Sequence, residues 1–230
     1  VDCGCFYRIN LVYYTDKQEM MVIKTRNSYD NEIEKLSQRE LLFYKEMKHP
    51  LMQNFYGICE RNNDKIIITE YINGESLHLI EKLHLKIKDK MTIIFKIMLF
   101  IEYLHRNQYI YRNLKPNNVM IDENKEIVFL GFSRAVKYHS DFDDEEHTCD
   151  FGSLFVAPEV NDGIFSYQCD IYSLCMMIKC IMKENPGYED RNNDNEIICQ
   201  YPEINKMYKN CIKELPEERP SISELILEFY

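Results

Sequence analysis

The chain has 230 residues, 45% of them hydrophobic, which is enough to bury a core of domain size and argues against disorder over most of its length. With 38 acidic against 28 basic residues it carries a formal charge of -10, which argues against nucleic acid or an anionic membrane surface as the main partner. Nine cysteines with no CxxC pair and six histidines with no ligand cluster predict neither a disulfide framework nor a zinc site; they suit a reducing cytosol, and a cytoplasmic location is expected.

From residue 6 to 47 the pattern reads strand, turn, strand, helix. RINLVYY (8–14) and MMVIK (20–24) flank the turn TDKQ, and NEIEKLSQRELLFYKEM (31–47) has apolar residues at helical spacing. NFYGIC (54–59) and KIIITEY (65–71) add two strands, which predicts a small antiparallel sheet carrying one helix. The chain starts inside a structural element, so the start of its first strand is expected to be missing. No signal peptide is expected before that strand. After Gly74 the character turns helical. MTIIFKIMLFIEYLH (91–105) puts Ile93, Ile94, Ile97, Met98, Ile101 and Leu104 on one face. Its apolar run is interrupted by Lys96 and is shorter than the roughly 20 residues of a membrane span, so no membrane insertion is expected.

The acidic run DFDDEE (141–146) reads as a solvated loop. SYQCDIYSLCMMIKCIM (166–182) is apolar nearly all round and predicts a helix buried in the core. RNNDNE (191–196) reads as a surface loop. INKMYKNCIKEL and SISELILEFY, separated by PEERP, read as amphipathic helices. The sum is an α+β protein of one domain, 1–230. It has a small β-rich lobe with one helix (1–72), a larger and mainly helical lobe (73–230), and a cleft at their junction.

MVIK (21–24), RELLFYKEMKHP (39–50), IIITEYINGESL (66–77), YRNLKPNN (111–118), FVAPEV (155–160), CDIYSL (169–174) and CIKELPEERP (211–220) follow in an order and at spacings that resemble the protein kinase family over essentially the whole chain. The resemblance implies the bilobal protein-kinase-like fold and a set of roles. Lys24 is the lysine that contacts nucleotide phosphates, and Glu40 is the carboxylate that holds it. Backbone groups of Glu70 to Ile72 meet a purine edge, Thr69 guards the pocket behind, and Ile9, Val22 and Met120 line it. Asp170 opens the buried helix, and Arg219 pairs with Glu159. The wording of these later motifs is nearest the tyrosine-kinase-like group.

Three departures bear on chemistry. Asn113 stands where the catalytic loop carries its base, and a carboxamide is a very poor base; Arg112, Lys115 and the metal-side Asn118 remain. Counted back from Ser133 and Arg134, the Asp-Phe-Gly motif becomes Phe129, Leu130 and Gly131. Phe129 then stands at the metal-binding aspartate, where a hard cation needs oxygen. In the glycine-rich loop only Gly4 falls on a glycine position. Asp2 repels phosphates there, Tyr7 crowds them, and Val22 narrows the pocket further.

The expectation is a catalytically impaired kinase-like domain, a pseudokinase, acting as a signalling scaffold or allosteric regulator through a protein partner such as another kinase. No resident cofactor is expected, and ATP binding is at most weak and independent of magnesium. The alternative is an active ATP-dependent serine/threonine or tyrosine protein kinase with atypical catalytic residues. Two further expectations concern regulation. In active relatives Arg112 meets a phosphate on the activation segment, and here DFDDEE offers fixed negative charge instead. The short stretch between the buried helix and Arg219 leaves little room for the helix that docks substrates.

Overall fold

The computed structural model describes residues 2–3, 7–28, 30–61, 64–138, 154–183 and 198–229. β1 (Asp2–Cys3) pairs with β2 (Tyr7–Tyr14), which turns through residues 15–18 into β3 (Glu19–Arg26). Gln18 closes that turn with φ 57°, a left-handed conformation that suits a tight hairpin. α1 (Asn31–Glu46) starts at Asp30, whose carboxylate accepts from the Ile33 N–H at 2.8 Å. Glu32 and Glu34 sit in its first turn and Lys45 in its last, the order a helix dipole favours. β4 (Phe55–Arg61) and β5 (Asp64–Glu70) complete an antiparallel sheet of order β1-β2-β3-β5-β4.

The larger lobe begins with β6 (Gly74–Ser76) and α2 (Ile80–Leu83), then α3 (Ile87–Arg106). All six residues expected on the inner face of α3 are buried, with Phe100 beside them. The helix starts four residues before its apolar stripe, because Asp89 accepts from the Lys86 N–H and from Lys125 Nζ. Short strands follow: β7 (Tyr109–Ile110), β8 (Val119–Asp122), β9 (Ile127–Phe129) and β10 (Val136–Lys137), pairing as β6-β8-β9 and β10-β7. α4 (Tyr167–Lys183) is buried at every residue from 169 to 181, as its all-round apolar sequence requires. α5 (Pro202–Cys211) and α6 (Ile222–Phe229) pack against α4 and α3.

Arg219 and Glu159 lock the base of this lobe. The guanidinium meets both carboxylate oxygens, at 2.6 and 2.8 Å, and donates to the carbonyls of Lys213, Glu214 and Gln168. Arg219 is 3% exposed and Glu159 6%; a pair so deep is tolerated because nearly every donor is used. The architecture is the expected bilobal α+β arrangement. Among the described residues no helix is long and apolar enough to cross a membrane. The runs 141–146 and 191–196, and the stretch 184–197 between α4 and α5, lie outside the described residues.

Candidate active-site cleft

The sheet register sets the upper wall of the cleft. Ile9 lies opposite Lys24 and Leu11 opposite Val22, while Val22 lies opposite Thr69 on the other side, so these side chains share one sheet face. Ile9, Val22, Met120 and Ile72 are all half-buried. Thr69 is fully buried, and its hydroxyl has no hydrogen-bond partner among the described residues.

Glu70 is more committed than the sequence suggests. Its carbonyl accepts from Gln53 Nε2 at 2.7 Å, its N–H donates to the Asn54 carbonyl at 2.9 Å, and its carboxylate accepts from Asn54 Nδ2 at 2.9 Å. The carbonyl keeps one acceptor position for a purine edge, and the N–H keeps none. Gln53 and Asn54, which sequence reasoning missed, are therefore part of this connector.

Lys24 Nζ meets Glu40 Oε1 at 2.8 Å, with Lys24 7% and Glu40 1% exposed. Tyr44, one turn after Glu40, stacks on Phe55 (centroids 5.1 Å) and meets Phe132 edge-on at 5.4 Å. Phe132 continues to Tyr111 at 5.7 Å, so four aromatic rings from both lobes form one column beside the ion pair. Burial, then the nearby Glu40 carboxylate, holds the Tyr44 phenol well above its ordinary range. Tyr7 is 7% exposed and lies at the same face of α1. Its hydroxyl makes no hydrogen bond of good geometry, though Glu40 and Ser37 are close enough to act on it. The side chain of Asp2 and all of Gly4 lie outside what is described.

The catalytic loop is fastened from below by Asp170 at the start of α4. Its carboxylate accepts from the N–H groups of Tyr111 (2.8 Å) and Arg112 (2.9 Å) and contacts His105 Nε2 at 3.0 Å. This holds Arg112 at φ 59°, a strained conformation for a long side chain. The Arg112 guanidinium lies over the Phe165 ring, 3.7 Å from its centroid. Arg112, Lys115 and Arg134 together line a small cavity with Phe165 at its apolar side. Whether Arg112 also meets the acidic run falls on residues outside the described ones.

The structure corrects the reading of Phe129. This residue is fully buried and stacks on Phe100 with centroids 4.0 Å apart; its N–H donates to the Leu51 carbonyl and its carbonyl accepts from the Gln53 N–H. It is a core strand residue whose ring packs on Phe100 and meets Tyr111 edge-on at 6.2 Å. The position that faces the loop is Gly131, φ 71°, where a Cβ would stand 3.0 Å from both Asn118 Oδ1 and Asn113 Nδ2. Phe132 follows, buried in the aromatic column, so Gly131 and not Phe129 is the residue set against Asn118. Counting forward from Asn118 through the β8–β9 hairpin leads there, and the buried, half-buried, buried alternation of Ile127, Val128 and Phe129 was the available signal.

At the position that faces Asn118 the chain offers no side-chain oxygen. Neither nearby acid supplies one: Asp122 accepts from the N–H groups of Asn124 and Glu126, and Glu126 pairs with Lys96. Among the described residues no group of three or more His, Cys, Asp or Glu is arranged to hold a metal.

Asn113 has acquired a bond of its own. Its Nδ2 donates to the Gly131 carbonyl at 2.7 Å, and its carbonyl accepts from Asn118 Nδ2 at 2.7 Å. An aspartate could not make the first of these, since two acceptors would face each other. The Tyr111 hydroxyl donates to the Leu130 carbonyl, tying the same segment to the loop.

A protein kinase domain model matches residues 3–230. A probable serine/threonine-protein kinase of Dictyostelium discoideum is 30% identical over 84% of the chain, and a second one from that organism is 27% identical over 98%. A seven transmembrane domain-containing tyrosine-protein kinase of the same organism is 28% identical over 89%. The chain spans 22%, 40% and 33% of the lengths of these three relatives.

Proposed function

The chain belongs to the protein kinase family, and from that premise we propose that it is a pseudokinase: a kinase domain that works through conformation and protein binding, with phosphoryl transfer lost. The observation that carries this reading is Gly131, which offers no oxygen where its backbone faces Asn118. Loss of metal charge stabilisation removes several kcal/mol from the transition state. Asn113 removes the base as well, a loss of roughly 10² to 10⁴ in rate. A kinase turnover of about 1 to 100 s⁻¹ would then fall below roughly 10⁻³ s⁻¹ even with imperfect additivity.

The intact aromatic column, the Lys24–Glu40 pair and the Asp170 fastening support a domain kept in a defined shape for recognition by a protein, another kinase being the partner class that suits a scaffold or allosteric regulator. The tyrosine-kinase-like grouping and a cytoplasmic setting belong to this same reading. Nucleotide binding is weak and indifferent to magnesium.

The second reading, an active ATP-dependent protein kinase, is favoured by the closed Lys24–Glu40 pair and by the retained Lys115 and Asn118. A radiolabel transfer assay with generic substrates, in magnesium and in manganese, separates the two. No transfer is expected. Transfer that persists and vanishes in Lys24→Met sinks the pseudokinase reading.

A further inference from the structure

We propose that Tyr7 is an internal plug: its ring takes the space beside the Lys24–Glu40 pair that nucleotide phosphates would need, and so keeps the small lobe closed without a ligand. This deepens the pseudokinase reading and rests on it. Tyr7 opens β2 opposite Arg26, and Ile9 lies opposite Lys24, so Tyr7, Ile9 and Lys24 share the face of the sheet turned to α1. The ring is 7% exposed and belongs to the core that holds Phe43 and Tyr44. Its hydroxyl lies by Ser37 and Glu40, one turn apart on α1. A short or absent side chain at this position lets backbone groups approach phosphates; a phenol ring fills the approach.

The chemistry around the ring also disfavours an anion. Lys24 is committed to Glu40 at 2.8 Å, and the Glu40 carboxylate acts on the Tyr7 hydroxyl. That hydroxyl is buried without a well-formed hydrogen bond, an unfavourable arrangement that phenylalanine would avoid. What the site uses is therefore the ring's volume. With the ring in place, protein atoms alone fill the space between the sheet and α1.

The test compares ATP without magnesium against adenosine, by calorimetric titration of the wild type, Tyr7→Phe and Tyr7→Gly. The wild type and Tyr7→Phe are expected to bind ATP no tighter than adenosine. Tyr7→Gly is expected to bind ATP at least about tenfold tighter than the wild type, with its adenosine affinity unchanged. Equal ATP affinity in the wild type and Tyr7→Gly overturns the plug. Should Tyr7→Gly fail to fold, Tyr7→Ser is read in its place. Hydrogen exchange over residues 31–46 of the wild type gives an independent reading: protection unchanged by millimolar ATP supports the plug, and increased protection overturns it. Phosphoryl transfer by the wild type sinks the pseudokinase reading, whereas unchanged ATP affinity in Tyr7→Gly with transfer still absent sinks the plug alone.

Discussion

At the scale of single residues, Asn113 and Gly131 are held by structural constraints of their own. The carboxamide of Asn113 can donate where a carboxylate cannot, and it spends that donor on the Gly131 carbonyl at 2.7 Å. Restoring the acid with Asn113→Asp therefore places two acceptors face to face in a half-buried site. A loss of about 1–3 kcal/mol in urea unfolding is expected, with no phosphoryl transfer gained, because Gly131 still supplies no metal ligand. Stability equal to the wild type would show that the bond is incidental. Gly131 carries its own constraint: at φ 71° an L side chain is strained by about 1–2 kcal/mol, and a Cβ would press to 3.0 Å on Asn113 and Asn118. Gly131→Ala should lose more than Gly131→Asn, since Asn tolerates the left-handed region better. The reverse order in a denaturant series would mean that contact, and not backbone conformation, governs the site.

At the scale of elements, the aromatic column joins the two lobes and the buried ion pair joins α1 to β3 within the small lobe, by different physics. Lys24–Glu40 is worth little as a pair but is costly to break. Glu40→Ala alone should lose about 3–5 kcal/mol by leaving a buried ammonium, while Lys24→Met with Glu40→Leu should lose much less. A double variant as unstable as the single one would contradict this. Phe129→Ala should cost about 3–5 kcal/mol, the value of a core aromatic. A cost near zero would return Phe129 to the rim of the site.

That last comparison marks the limit of what the sequence could tell. The β2–β3 hairpin, the inner face of α3 and the buried α4 were legible because each is a local pattern of period two or 3.6. So was Lys24 with Glu40, whose spacing was fixed by His49-Pro50. The register of the metal strand was not: Ser133-Arg134 looks like the end of that motif whichever way the count runs, and only the β8–β9 hairpin fixes which residue turns toward Asn118. Strands of two or three residues such as β6, β7 and β10 are too short to carry a period. Tyr7 was legible as a crowded glycine position, but its burial against α1 depends on how the sheet and helix pack.

At the scale of the whole molecule, the titratable groups predict an asymmetric response to pH. Three carboxylates are lowered from ordinary values of 3.8 for Asp30 and Asp89 and 4.5 for Glu224. The main causes are the Ile33 N–H on Asp30, Lys125 on Asp89 and the Ser221 N–H on Glu224. A lowered acid contributes stability that is fully present above its unfolded value and lost as the pH falls through the folded one, so the acid side softens only below about pH 4. All three groups are solvent-facing, which keeps that loss gentle.

The alkaline side is different, because buried groups are held protonated there. Burial raises the thiols of Cys169 and Cys175, and pushes Cys180 up to about 12, from an ordinary 9.0. Burial likewise raises the phenols of Tyr7, Tyr44, Tyr109 and Tyr111 from 10.0, with Glu40 adding to it at Tyr7 and Tyr44, Glu46 at Tyr109, and Tyr44 and Asp170 at Tyr111. A raised acid binds its proton in the fold after the unfolded chain has released it. Its contribution is therefore complete below pH 9 for the thiols and 10 for the phenols, and is lost as the pH climbs beyond. Each such group steepens the fall by about 1.4 kcal/mol per pH unit. Melting temperatures followed from pH 3 to 11 should decline shallowly below 4 and steeply above 10. Tyr111→Phe should remove one proton from the alkaline slope while leaving the acid limb untouched. An alkaline limb as shallow as the acid one would mean that these phenols and thiols reach water in the native state, and that the core joining the two lobes is looser than its packing implies.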